Sequence, residues 1–195
     1  MKLVLASSNP GKLREIGALL RTMEIVPQSA LGIEDAEEPH ATFLENALAK
    51  ARHASRAARL PALADDSGLC VEALNGAPGV HSAYYAGREG DRAARDSRNN
   101  EKLLSELGAE RAAFYVCLMI LVRHPDDPRP LVAEGIWRGE IARAPRGTGG
   151  FGYDPLFWLP ALGRTAAELD AEHKNRISHR AIALQKLLAL LHDSA

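Results

Sequence analysis

The chain has 195 residues, 46% of them hydrophobic, which is enough for one domain with a sizeable core and too short for a string of modules. Its 24 basic and 25 acidic residues leave a net charge of −1, which excludes the broad positive field of a nucleic-acid binder but still allows a small local anion site. Two cysteines in apolar surroundings, Cys70 and Cys117, exclude a disulfide scaffold and a zinc knuckle and read as buried thiols, while the absence of any apolar run near the ~18–20 residues of a membrane span makes the cytoplasm the expected location.

Residues 2–6 form a short β-prone run that passes directly into a helix, with Asn9 as N-cap, Pro10 at the first helical position, and Leu13, Ile16, Leu19 and Leu20 on its apolar positions. A second strand is expected at about 24–28, followed by an acidic loop from Glu34 to Glu38. Thr42 and Glu45 make a capping box, and the alanine-rich stretch that follows predicts a helix to Arg59, stopped by Pro61. Residues 62–65 and 69–72 read as two short strands or one interrupted strand, broken at Asp65-Asp66-Ser67-Gly68. A Gly/Pro-rich loop at 75–79 precedes a charged helix from about 91 to 107. The nearly continuous apolar run 113–123 predicts a central strand, paired with 130–141 across the turn at 125–128. After the glycine-rich segment 147–152 come a short strand at 156–159, a second capping box at Thr165 and Glu168, and a last helix starting near Ser178. Helices alternating with strands, plus one hairpin, predict an α/β domain with a mixed sheet spanning residues 1–195.

Three junctions carry candidate chemistry. The first is Ser7-Ser8-Asn9-Pro10-Gly11-Lys12, where short hydroxyl side chains, a cap, a glycine and a lysine gather at a helix N-terminus that favours anions. A lysine there opposes the helix dipole, so an anionic ligand would explain it; a plain capped helix with a solvated Lys12 is the competing reading. The second is Asp65-Asp66, two carboxylates inside an apolar strand. Neighbours in an extended chain point to opposite sides, so one carboxylate can hold a cation while the other faces a water, and hard oxygens in this number suit Mg²⁺ completed by substrate phosphates. Solvated acids at an Asp-Ser-Gly turn are the alternative. The third is Lys174 with Ser178-His179-Arg180 and the loop Phe151-Gly152-Tyr153-Asp154, which offers an aromatic face and hydrogen-bonding groups for a base. His179 alone reads as a solvated surface histidine. The string Gly147 to Gly152 satisfies G-x-G-x-x-G, but Asp154-Pro155 follows where a helix should start, so no dinucleotide fold is expected.

Several motifs then recur in order along nearly the whole chain: Ser7-x-Asn9-x-x-Lys12, Glu37-Glu38, Phe43-x-Glu45-Asn46-Ala47-x-x-Lys50-Ala51, Ala64 to Leu69, Gly76-Ala77-Pro78-Gly79, Gly149 to Pro155 and Ser178-His179-Arg180. Together they resemble the inosine triphosphate pyrophosphatase family. The resemblance implies an elongated mixed sheet flanked by helices, two lobes with the active cleft between them, a homodimer, and Mg²⁺-dependent hydrolysis of ITP, dITP and XTP to the monophosphate and pyrophosphate. It implies that Ser7, Ser8, Asn9, Pro10, Gly11 and Lys12 meet the triphosphate with Lys50 nearby. It makes Asp66 the proton acceptor for the attacking water and a metal ligand, helped by Asp65 and Glu38. Ser67 is then a substrate contact, and Phe151, Gly152, Tyr153, Asp154, Lys174, His179 and Arg180 surround the base. Where Glu37-Glu38 is followed by Pro39-His40, the family has a small residue and glycine. A broader-specificity NTP pyrophosphatase and a non-catalytic nucleotide-binding regulator remain the alternative readings.

Overall fold

The computed structural model describes residues 2–20 and 23–193; the side chain of Leu19, expected on the apolar face of the first helix, lies outside the described set. In chain order the elements are β1 (Lys2–Leu5), α1 (Pro10–Leu19), β2 (Glu24–Pro27), α2 (Phe43–Ala58), β3 (Ala62–Val71), α3 (Arg92–Glu106), β4 (Ala112–Val122), β5 (Leu131–Ile141), β6 (Phe157–Leu159), β7 (Arg164–Thr165), α4 (Ala171–Ile177) and α5 (His179–His192), with short 3₁₀ turns between some of them. Among the described residues the strands form one mixed sheet in the order β2-β1-β3-β4-β5-β6-β7. β1 lies parallel to β2 and β3, whereas β6 lies antiparallel to β5 and β7.

The expected cap signals act as local physics demands. The Asn9 side chain accepts the N–H groups of Gly11 and Lys12, and Thr42 Oγ1 accepts that of Glu45 at 3.2 Å. The apolar run at 112–122 is continuous because β4 is buried on both faces: Cys117, Met119 and Leu121 pack into one core cluster, Ile120 and Val122 into another. Each such side chain contributes roughly 1.5–3 kcal/mol by leaving water. One expectation is corrected. β3 is a single strand that runs uninterrupted through Asp65 and Asp66, because both carboxylates have cationic partners and need not break out to solvent. The segment before Ser178 is also helical: Asp170 caps the seven-residue α4 by accepting the His173 N–H.

The chain divides into two compact units, Met1–Asp66 with Cys117–Gly135 and His179–Ala195, and Ser67–Val116 with Ile136–Ser178. In the first, α1 and α5 pack on the face of the sheet that carries Leu3, Leu5 and Leu63, while the alanine stripe of α2, Ala47, Ala51 and Ala54, packs on the face that carries Val4, Ala62 and Ala64. In the second, Tyr115, Trp137 and Phe157 form an aromatic centre with ring separations of 4.7–6.4 Å, joined by Leu69, Leu103 and Tyr153. Among the described residues no helix is long and apolar enough to cross a membrane.

Candidate active site

Period-two alternation along β3 decides the site of the first unit. Ala62, Ala64 and Asp66 share the α2 face, and Leu63 and Asp65 share the α1/α5 face, so the adjacent carboxylates are delivered to different sets of cations. On the α1/α5 side Lys12 Nζ lies 2.9 Å from Asp65 Oδ2, and Arg180 Nε lies 3.5 Å from the same oxygen. Arg180 also pairs with Glu15, three residues beyond Lys12 on α1. Arg180 begins the buried stripe of α5 that continues through Ala183, Leu184 and Leu187, which is why a guanidinium ends up fully enclosed. Gly135 on β5 makes room for that helix start, since a Cβ there would lie 2.0 Å from the His179 carbonyl oxygen.

On the α2 side Lys50 belongs to the same buried stripe as Ala47, Ala51 and Ala54. Its ammonium lies 2.6 Å from Glu38 and 3.2 Å from Asp66 Oδ1. The acidic loop is tied down by the buried Asn46, which accepts the His40 N–H at 3.0 Å and donates to the His40 carbonyl at 3.2 Å. Asp66 Oδ2 is buried and accepts no hydrogen bond.

The charges shape each other. Burial raises the Asp65 carboxyl, but Lys12, Arg180 and Lys50 outweigh burial and hold it well below the usual carboxylate range. For Asp66 burial wins: despite Lys50 and Lys12 its carboxyl is held above the ordinary value, with Glu38 and Asp65 adding to the rise. Burial alone would lower the Lys50 ammonium, and the facing Asp66, Asp65 and Glu38 carboxylates turn that into a rise. Two adjacent carboxyl groups are thus shifted in opposite directions by their different surroundings.

The helix-start cluster is more self-contained than its sequence suggests. Asn9 already occupies two N–H groups of α1, Ser7 Oγ accepts the Asn9 N–H at 3.2 Å, and Ser8 bonds to Asp35, which also binds Gln28. Asp65 is the group that offsets the charge of Lys12 against the helix dipole. His179 is buried, contrary to the solvated reading. Glu15 and Asp35 were not expected at the site; for Glu15 the only signal was a carboxylate one turn from Lys12 on α1.

The second unit holds the aromatic loop. Asp154 is buried, accepts the Phe151 N–H at 2.8 Å and pairs with Lys174 Nζ at 2.5 Å. Lys174 Nζ also lies 4.9 Å from the centroid of the Phe151 ring. Gly150 permits this, because its φ is +71° and a Cβ would lie 2.0 Å from Asp154 Oδ2. Tyr153 donates its hydroxyl to the Ser82 carbonyl at 2.9 Å, and Ser67, half-buried, follows Asp66 on β3. Tyr84 and Tyr85 are each overlain by a cation, Arg88 at 4.2 Å and Lys102 at 4.1 Å.

Residues 3–190 match the model of the Ham1 family. The chain belongs to the Ham1 family. A dITP/XTP pyrophosphatase of Burkholderia pseudomallei is 63% identical over 194 residues, covering 97% of this chain and 93% of that protein. The structure of a HAM1 protein from Coxiella burnetii matches with a TM-score of 0.91 at 47% identity, covering 99% of each chain, and that of the Staphylococcus aureus Ham1 protein with 0.87 at 39%, covering 100% of each. The mixed α/β sheet of this Ham1-family protein is therefore the architecture of its relatives, and the resemblance drawn from its motifs is borne out.

Among the described residues of this Ham1-family chain no three His, Cys, Asp or Glu side chains are grouped as ligands for a metal ion. Mg²⁺ does not need such a cage, since it is commonly held by one or two carboxylates and the phosphates of its substrate. Asp66 fits that role with its buried, unbonded Oδ2, and Glu38, paired with the same Lys50 ammonium at 2.6 Å, is a second hard oxygen donor of the right chemistry. Asp65, which the resemblance also puts at the metal, is engaged by Lys12 and Arg180.

Proposed function

We propose that this Ham1-family protein is a nucleoside triphosphate pyrophosphatase that hydrolyses the deaminated purine nucleotides ITP, dITP and XTP to the monophosphate and pyrophosphate, clearing them from the nucleotide pool. The observation that carries the reading is Asp66: a buried carboxyl with an oxygen free to accept a proton, a raised affinity for one, and a lysine held 3.2 Å away. The pyrophosphatase names of its relatives supply the reaction and substrate class.

Asp66 orients the attacking water at the α-phosphorus and takes its proton, with pyrophosphate as the leaving group. Lys12 and Lys50 neutralise phosphate oxygens, and the first turn of α1 orients the triphosphate, together with Ser7, Ser8, Asn9, Pro10 and Gly11. Glu15, Glu38, Asp65 and Asp66 face Lys12, Lys50 and Arg180, leaving the cluster at −1 (three cations less four carboxylates), which would repel a triphosphate arriving without a counter-ion. Asp66 and Glu38, with Asp65, would hold Mg²⁺, and the ion would supply that counter-charge. Asp65 keeps Lys12 and Arg180 in place. Ser67 meets the substrate beyond Asp66. Phe151 to Asp154 and Lys174 read the base with His179, and Arg180 acts through Asp65. O6 of a 6-oxo purine accepts from lysine and histidine donors, whereas the amino group of adenine would leave them unpaired.

The 195 residues work as one pyrophosphatase domain, as a cytoplasmic homodimer whose partners are purine nucleoside triphosphates and not nucleic acid or a membrane. Pyrophosphate release from ITP with Mg²⁺, followed in a coupled assay, tests the reading. Binding without turnover would favour a regulator, and equal kcat/KM across ordinary NTPs a broader pyrophosphatase. A monomeric mass by light scattering at micromolar concentration would remove the dimer.

A further inference from the structure

Helix α3 carries a polar stripe, Arg92, Asp96 and Asn100, spaced four residues apart and so stacked on one face. All three reach the same two loop residues. Asp96 Oδ2 accepts the Gly152 N–H at 2.9 Å, and Asn100 Nδ2 donates to the Gly152 carbonyl at 3.0 Å. The Arg92 guanidinium carbon lies 4.6 Å from the centroid of the Phe151 ring, and Arg92 Nε lies 3.8 Å from Asp96 Oδ2.

Gly152 has a φ of +63°, and Gly147 and Gly150 in the same segment are also left-handed. A glycine-rich segment has a high entropy cost of ordering, and hydrogen bonds at both polar groups of Gly152 hold it in one conformation. The helix is itself anchored: buried Asn99 accepts the Ala86 N–H at 2.8 Å and donates to the Ser82 carbonyl at 3.2 Å, the same carbonyl that receives the Tyr153 hydroxyl. Helix and loop therefore share one fixed point.

We propose that Asp96 is a positioning residue for base selection: by holding the Gly152 N–H, seconded by Asn100 at the Gly152 carbonyl, it sets the place of the Phe151 ring and of Asp154 and Lys174 behind it. Asp96 acts through the loop and touches no reacting atom, so its contribution falls on KM and on the preference between bases, not on the chemical step. The inference rests on the proposed reading that the loop Phe151–Asp154 meets the purine. A hydrogen bond to a charged acceptor stabilises by about the equivalent of a tenfold change in affinity, and the partial exposure of Asp96 puts it near that lower end.

The test compares full-length wild type, Asp96→Ala, Asp96→Asn and Asn100→Ala with dITP and dATP in the presence of Mg²⁺, reading kcat and KM separately. Asp96→Ala is expected to raise KM for dITP about tenfold with kcat within about twofold, and to narrow the dITP preference by a similar factor. Asp96→Asn retains an acceptor oxygen at the same reach and is expected to restore most of the affinity. Asn100→Ala, which puts the strongest helix former inside α3, is expected to move KM in the same direction and carries the test if Asp96→Ala does not fold. Unchanged KM and preference in Asp96→Ala or Asn100→Ala, or an Asp96→Asn variant no better than alanine, overturns the inference while the wild type stays active and selective. A wild type inert toward dITP overturns the proposed function and this inference with it.

Discussion

Asp65→Asn keeps the shape of the side chain and removes its charge from a place where two cations are held against it. The carboxylate is enclosed, Lys12 lies 2.9 Å away with its side chain 14% exposed, and Arg180 lies 3.5 Å away with its side chain 2% exposed. Breaking a buried ion pair by removing one partner costs about 3–5 kcal/mol, because the remaining charge is left in a low dielectric. Two features place this case near 3 kcal/mol: Arg180 keeps Glu15, and Lys12 has some access to water. At this chain length each kcal/mol lowers Tm by about 2–4 °C, so a fall of about 6–12 °C is expected. Urea titration should give a lower midpoint with an unchanged slope, since the exposed surface on unfolding is the same.

The pH dependence supplies the sharper check. The Asp65 carboxyl is depressed in the folded state: burial raises it, but Lys12, Arg180 and Lys50 outweigh burial. The stability it contributes is therefore complete above the ordinary carboxyl pKa of ~3.9 and is lost as pH falls below that value. The gap between wild type and Asp65→Asn should be full at pH 6 and shrink as pH is lowered from about 4 towards 3. A loss smaller than about 1 kcal/mol at pH 6, or a gap independent of pH, would refute the claim that Asp65 organises the cationic side of the site.

Asp66→Asn should lower kcat with ITP by about 10²–10⁴-fold while circular dichroism stays native, and near-wild-type kcat would move the base to Asp65 or Glu38. Lys12→Ala should raise KM and lower kcat together, because it removes charge neutralisation from both bound substrate and transition state; Lys102→Ala, on α3 where Lys102 packs on Tyr85 away from the proposed triphosphate contacts, serves as the control. Gly150→Ala should raise KM, since both the left-handed backbone and the approach of Asp154 exclude a methyl group, and unchanged kinetics would count against the loop geometry. EDTA should abolish hydrolysis and excess Mg²⁺ restore it, whereas full activity in the chelator would remove the metal from the reading.

What the sequence determined by itself is what short-range physics controls. Asn9-Pro10 and Thr42 start helices because a side-chain oxygen meets N–H groups two or three residues on, and the nearly continuous apolar run at 113–123 announces a central strand because almost nothing in it asks for water. The alternation of Asp65 and Asp66 across the strand was legible for the same reason. Whether the strand could continue through them was not, because the energy of a buried carboxylate depends on Lys12, Lys50 and Arg180, which approach from three helices far apart in the chain. Tertiary packing alone buried His179, engaged Arg180 with Glu15, and brought Arg92, Asp96 and Asn100 to a loop more than fifty residues away. Capping and periodicity are written residue by residue; the partner of a charge is chosen only when the sheet brings distant helices to its two faces.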